Sequence, residues 1–104
     1  MINVNLFYNS QGEVFGFSVE NHGETHVCAA ISVLTLNTVN SIEALTGLTN
    51  NDFTCEHQTD GGYLAFSLNI SEPRHERAGL LLDAFALGVS SVAEVHPSEV
   101  CIQT

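Results

Sequence analysis

The residues between Asn21 and Ser32 (Asn-His-Gly-Glu-Thr-His-Val-Cys-Ala-Ala-Ile-Ser) place two imidazoles and a thiol close together in the chain. A helix that starts beside Cys28 would put its sulfur at the positive end of the backbone dipole, which favours thiolate, the nucleophilic form. Ala29 and Ala30 leave that sulfur uncrowded and let the helix pack closely. An imidazole across the turn could take the thiol proton and later return one to a leaving group. His22 and His26 are both near enough in sequence for that task. Glu20 and Glu24 would favour imidazolium on a nearby histidine and oppose thiolate if they sat beside the sulfur. Two other readings fit the same residues. Cys28 can be a small buried hydrophobe. Alternatively, His22, His26 and Cys28 can be zinc ligands, with Cys55 or His57 as a fourth, although their spacing matches no common structural zinc pattern. Cys55 and Cys101 lie in strand-like runs and read as packing residues, whereas His75 and His96 read as solvated or capping groups at helix ends.

The elements around this segment follow from hydrophobic period. Residues 2–8 and 13–20 alternate apolar and polar about the turn Asn9-Ser10-Gln11-Gly12, which predicts a β-hairpin. Val27, Ile31, Leu34, Thr38, Ile42 and Leu45 recur at helical spacing, with Gly47 as the stop. Strands are predicted over 52–58 and 63–69, joined through Asp60-Gly61-Gly62. Ser71 or Glu72 is expected to cap a second helix with Pro73 in its first turn. Its apolar stripe is Ala78, Leu81, Leu82, Phe85, Val89 and Val92, and Pro97 ends it at the latest. Residues 99–103 form a last short strand. The order β-β-α-β-β-α-β implies an α+β two-layer sandwich, a mostly antiparallel sheet with two helices on one face. One domain is expected to span residues 1–104.

The chain has 104 residues, 12 acids against 2 bases, and a formal charge of −10. Its hydrophobic content of 44% excludes a disordered chain. Arg74 and Arg77 are the only strong cations, which argues against direct nucleic-acid binding, where phosphates are met by Lys and Arg. The acidity favours a basic partner instead. No signal peptide is visible, and no run of 18 apolar residues suggests a membrane span. The odd number of cysteines argues against a disulfide framework, so a reduced, cytoplasmic protein without a cofactor or resident metal is expected. Between Val27 and Ile42 the first helix has no charged residue, whereas a helix with one face in water normally carries charge there. Coverage by the second helix accounts for this, as does a homodimer seam.

Val27-Cys28-Ala29-Ala30-Ile31-Ser32 resembles the cysteine half of the signature of the Prp family, the ribosomal-processing cysteine proteases of bacteria, in which hydrophobic-Cys-Ala-Ala-Val-Ser opens a helix. Asn21-His22-Gly23 matches the family's Gly-His-Ala half at its histidine. Asn40-Ser41-Ile42-Glu43-Ala44-Leu45 and Gly61-Gly62-Tyr63-Leu64 are similar as well, so the resemblance covers essentially the whole chain. It implies a cytoplasmic endopeptidase that removes the N-terminal extension of a large-subunit ribosomal protein. Cys28 would be the nucleophile and His22 the base, since the family places its histidine at the end of the second strand; His26 is the rival. Ser32 would support the site, and N–H groups at the helix start, that of Cys28 included, would hold the oxyanion. Many members carry an Asp three residues before the cysteine; Thr25 stands there in this chain, the loop is shorter, and Glu24 is the nearest acid. The competing reading is a non-catalytic, dimeric acidic module that grips a basic ribosomal tail.

Overall fold

The computed structural model describes residues 1–20, 25–58 and 62–104. Its elements are β1 (Ile2–Tyr8), β2 (Val14–Glu20), α1 (Thr25–Leu45), β3 (Phe53–Gln58), β4 (Tyr63–Leu68), α2 (Glu76–Val95) and β5 (Val100–Gln103). This is the order the hydrophobic periods predict. The strands form one sheet in the order β3-β4-β2-β1-β5. Every neighbouring pair is antiparallel except β1 and β5, which run parallel.

Alternation along the strands sorts the side chains by face. Ile2, Val4 and Leu6 of β1, Phe17 and Val19 of β2, Leu64, Phe66 and Leu68 of β4, and Phe53 of β3 are buried toward the helices. The opposite face carries small and polar groups such as Asn3, Asn5 and Ser18, with Asn5 Nδ2 donating to Ser18 Oγ at 2.9 Å. The helices add Val27, Ile31, Val39 and Ile42 from α1, and Ala78, Leu82, Phe85 and Val89 from α2, to the same core. Phe85 meets Phe17 with ring centroids 4.0 Å apart, and Phe17 and Phe53 both adjoin Phe66. By length and composition both helices could cross a membrane. Here each lays its buried stripe against the sheet.

The hairpin turn is organised by Asn9. Its Oδ1 accepts from the N–H groups of Gln11 and Glu13, and its Nδ2 donates to the Ser71 carbonyl. Gly12 has φ +77°, a conformation that favours glycine. The start of α2 differs from the sequence expectation. The helix begins at Glu76, and His75 caps it by accepting the Ala78 N–H on Nδ1. Glu72 is occupied elsewhere: its carboxylate accepts from both the hydroxyl and the N–H of Ser10. Pro73 follows a cis peptide bond ahead of the helix. His96, the other histidine assigned to a helix end, is the C-cap of α2.

The two helices pack on each other, and Leu34 of α1 fits over Gly88 of α2, where an added Cβ would lie 3.0 Å from Leu34 Cδ2. That contact covers one flank of α1. Its outer face stays open, with Val33 67% exposed. Leu45, counted in the apolar stripe from its spacing, is exposed at the end of the helix. Gly47, with φ +79°, reverses the chain beyond it.

Candidate active site

Several element ends converge on one side of the sheet. Val19 lies near the end of β2, Ile2 opens β1, Gln58 closes β3 and Tyr63 opens β4, and the chain leaves β2 there to enter α1. Strand register brings Val19 beside both Val4 and Leu64, and Gln58 beside Tyr63. A groove of about 240 Å³ opens at this end, between α1 and the β3–β4 hairpin. One wall is α1, through Cys28, Ile31, Ser32, Thr35 and Leu36. The other is formed by His57 and Gln58 of β3 with Gly62, Tyr63 and Leu64, while Ile2 and Val19 lie at its base.

Cys28 sits in the first turn of α1, half-buried, with its side chain on the groove. The helix dipole places partial positive charge at that turn. Among the described residues, no Asp, Glu, Arg or Lys lines the groove, in a chain that carries 12 acids. Ser32, one helical turn beyond Cys28, is exposed on the same wall, as expected from its spacing. Thr35 is buried and its Oγ1 donates to the Ile31 carbonyl at 2.7 Å, which satisfies the hydroxyl within the helix. His22 and Glu24, assigned from the sequence as base and supporting acid, lie outside the described residues. His26 is exposed and is absent from the groove lining.

Two cysteines compare differently with expectation. Cys55 is exposed on edge strand β3 rather than packed, and partial desolvation of its sulfur, with the charge of Glu43, pushes its thiol pKa up. Cys101 is half-buried in β5, in register with Asn3. Among the described residues no cluster of His, Cys, Asp and Glu side chains is arranged to hold a metal ion.

His57 is the groove residue that sequence reasoning missed, having considered it only as a spare zinc ligand. Its signal was the register of β3. Phe53 faces the core, so Cys55 and His57 share its side of the strand. His57 pairs with Leu64, itself buried toward the helices, which fixes the imidazole on the α1 side of the sheet.

Comparison with known proteins bears on this arrangement. The family described as cysteine protease Prp matches residues 1–101. No curated protein matches the chain. Among solved structures, the ribosomal processing protease Prp of S. aureus with a covalently linked product peptide superposes with a TM-score of 0.88 at 21% identity, covering 99% of this chain and 98% of that one. The same protease with a substrate peptide gives 0.87 at 21% identity, over 99% and 98% of the two chains. A protein of Streptococcus mutans gives 0.83 at 29% identity, over 99% and 96%. At these identities the superpositions establish the fold, and the family match carries the activity.

Proposed function

The chain belongs to the cysteine protease Prp family, and from that premise we propose that Cys28 is its nucleophile and His22 its base. The substrate in this reading is the N-terminal extension of a basic large-subunit ribosomal protein. The single observation that carries the reading is the position of Cys28, in the first turn of α1 with its side chain on the groove. The S. aureus structures, solved with substrate and product peptides, support a peptide as the occupant. The family match replaces the alternative of a non-catalytic binding module.

The chemistry then runs in two halves. His22 accepts the Cys28 proton, and the thiolate attacks the scissile carbonyl carbon, forming a C–S bond and an oxyanion. The oxyanion develops beside the positive end of α1, and the backbone N–H groups of the first turn point toward that end. Imidazolium protonates the departing amine, the C–N bond breaks, and a thioester remains on Cys28. His22 next takes a proton from water, whose oxygen attacks the thioester. The carboxylate product leaves and the thiol is restored. Ser32 and Glu24 are supporting residues in this scheme, Ser32 by hydrogen-bonding near the sulfur and Glu24 by orienting the imidazole.

The charge of −10 suits a basic precursor, and steering of that kind weakens as salt rises. We further place the protein in the cytoplasm, where ribosomal precursors are made. A homodimer formed through the uncharged outer face of α1 completes the reading, supported by exposed Val33. The reading is tested by incubating the protein with the ribosomal-protein precursor and following its intact mass. Loss of the N-terminal extension is expected from the parent protein and from His26→Ala, and is abolished in His22→Ala. Trimming by His22→Ala at the parent rate would remove His22 from the mechanism.

A further inference from the structure

Cys28 accounts for one wall of the groove, and the other wall carries a group the mechanism leaves unused. We infer that His57 is a substrate-binding residue that hydrogen-bonds the peptide main chain and holds it against Cys28 from the β3 side. The inference rests on the protease reading and deepens it.

Three observations converge. Register with Leu64 puts the imidazole on the α1 side of edge strand β3, so a peptide lying in the groove passes between His57 and Cys28. The imidazole is exposed and engages no hydrogen-bond or ion-pair partner among the described residues. The hydroxyl of Thr35 is already committed to the Ile31 carbonyl. An extended peptide presents N–H and C=O groups in alternation, and an imidazole can serve either as donor or acceptor. Ile2, Val19, Ile31, Leu36 and Leu64 of the lining are apolar and do not offer that complement. Gln58 and Tyr63 alternate to the other side of their strands from His57 and Leu64, and Ser32 lies on the Cys28 wall. That leaves His57 as the polar side chain that register turns to the α1 side from β3.

The test uses the full chain and a synthetic peptide covering the ribosomal-protein extension. His57→Ala is expected to raise KM about three- to tenfold, the scale of one lost hydrogen bond, with kcat changing far less. His57→Gln, which keeps a donor and an acceptor, is expected to recover at least half of that loss. Alkylation of Cys28 by iodoacetamide, read at that residue by peptide mapping, is expected to proceed at the parent rate in both variants. An unchanged KM in His57→Ala overturns the inference alone. So does a parallel fall in kcat and in the alkylation rate, since His57 would then act on the sulfur. Failure of the parent protein to cleave the peptide overturns the substrate reading, and the inference with it.

Discussion

Cys28 of α1 and His57 of β3 line one groove from opposite walls, although a helix and a loop separate them in the chain. The pairing arises from two local rules. Cys28 is placed by the helix start, and His57 by its register with Leu64 at the free edge of the sheet.

The core beneath the groove depends on the Phe17–Phe85 contact between β2 and α2. Phe85 is 1% exposed and Phe17 0%. Phe85→Ala is expected to cost about 3–5 kcal/mol, visible as a lower urea midpoint at an unchanged m-value. A loss of under about 1 kcal/mol would show that the helix layer relaxes around the gap.

Arg74 ties the turn before α2 to both layers. Its guanidinium donates to the Val14 carbonyl at 2.9 Å and makes two hydrogen bonds to Asp83, at 2.8 and 3.0 Å. It lies across Gly79, where an added Cβ would come within 2.4 Å of Arg74 Nε. Gly79→Ala is therefore expected to destabilise the protein, although alanine is the better helix former by about 1 kcal/mol. Arg74→Met is expected to cost about 1–3 kcal/mol, and Gly79→Ala in the Arg74→Met background to cost less than it does alone. Additive losses in the double mutant would contradict this coupling.

Among the described residues, stability toward acid has one traceable contributor. Hydrogen bonds from the Ser10 hydroxyl, and then the Ser10 N–H, hold the Glu72 carboxyl below its ordinary range. Folding thus favours the carboxylate. The contribution is complete above the unfolded-chain value and is lost as pH falls through the lower folded value. Denaturation measured from about pH 6 to about pH 2 is expected to show a shallower acid decline for Glu72→Gln than for the parent. Parallel profiles would remove Glu72 from the acid response.

Periodicity made much of this architecture legible. Alternation around Asn9–Gly12 located the first hairpin, and helical spacing located both helices, because in each case one face is buried against a continuous core. The start of α2 was less legible. Ser71 and Glu72 have capping chemistry, but the turn at Asn9–Gly12, distant in sequence, engages the Glu72 carboxylate and the Ser71 main-chain carbonyl, and His75 caps the helix. Cys55 misled for a related reason. Its strand alternates correctly, yet β3 is an edge that α1 does not fully cover, and coverage is a tertiary fact. The Cys28 half of the site was readable because nucleophile and helix start are neighbours in the chain. His57 needed the register between β3 and β4.

The outer face of α1 predicts the state of assembly. Val33→Glu adds a charge at a position 67% exposed in the single chain, so the fold should survive it. Sedimentation is expected to show a dimer for the parent and a monomer for the variant, with the same circular dichroism. A parent that is monomeric at high concentration would contradict the seam.

The central claim is that Cys28 is the nucleophile of ribosomal-protein trimming, taking up the peptide acyl group as a thioester, and it is tested most directly by the bond it would form. A brief acid quench of the protein with its precursor, followed by peptide mapping, is expected to find the peptide acyl group on the Cys28 sulfur. Cys28→Ala is expected to carry no acyl group and to leave the precursor at full length. Trimming of the precursor by Cys28→Ala at the parent rate would contradict the account.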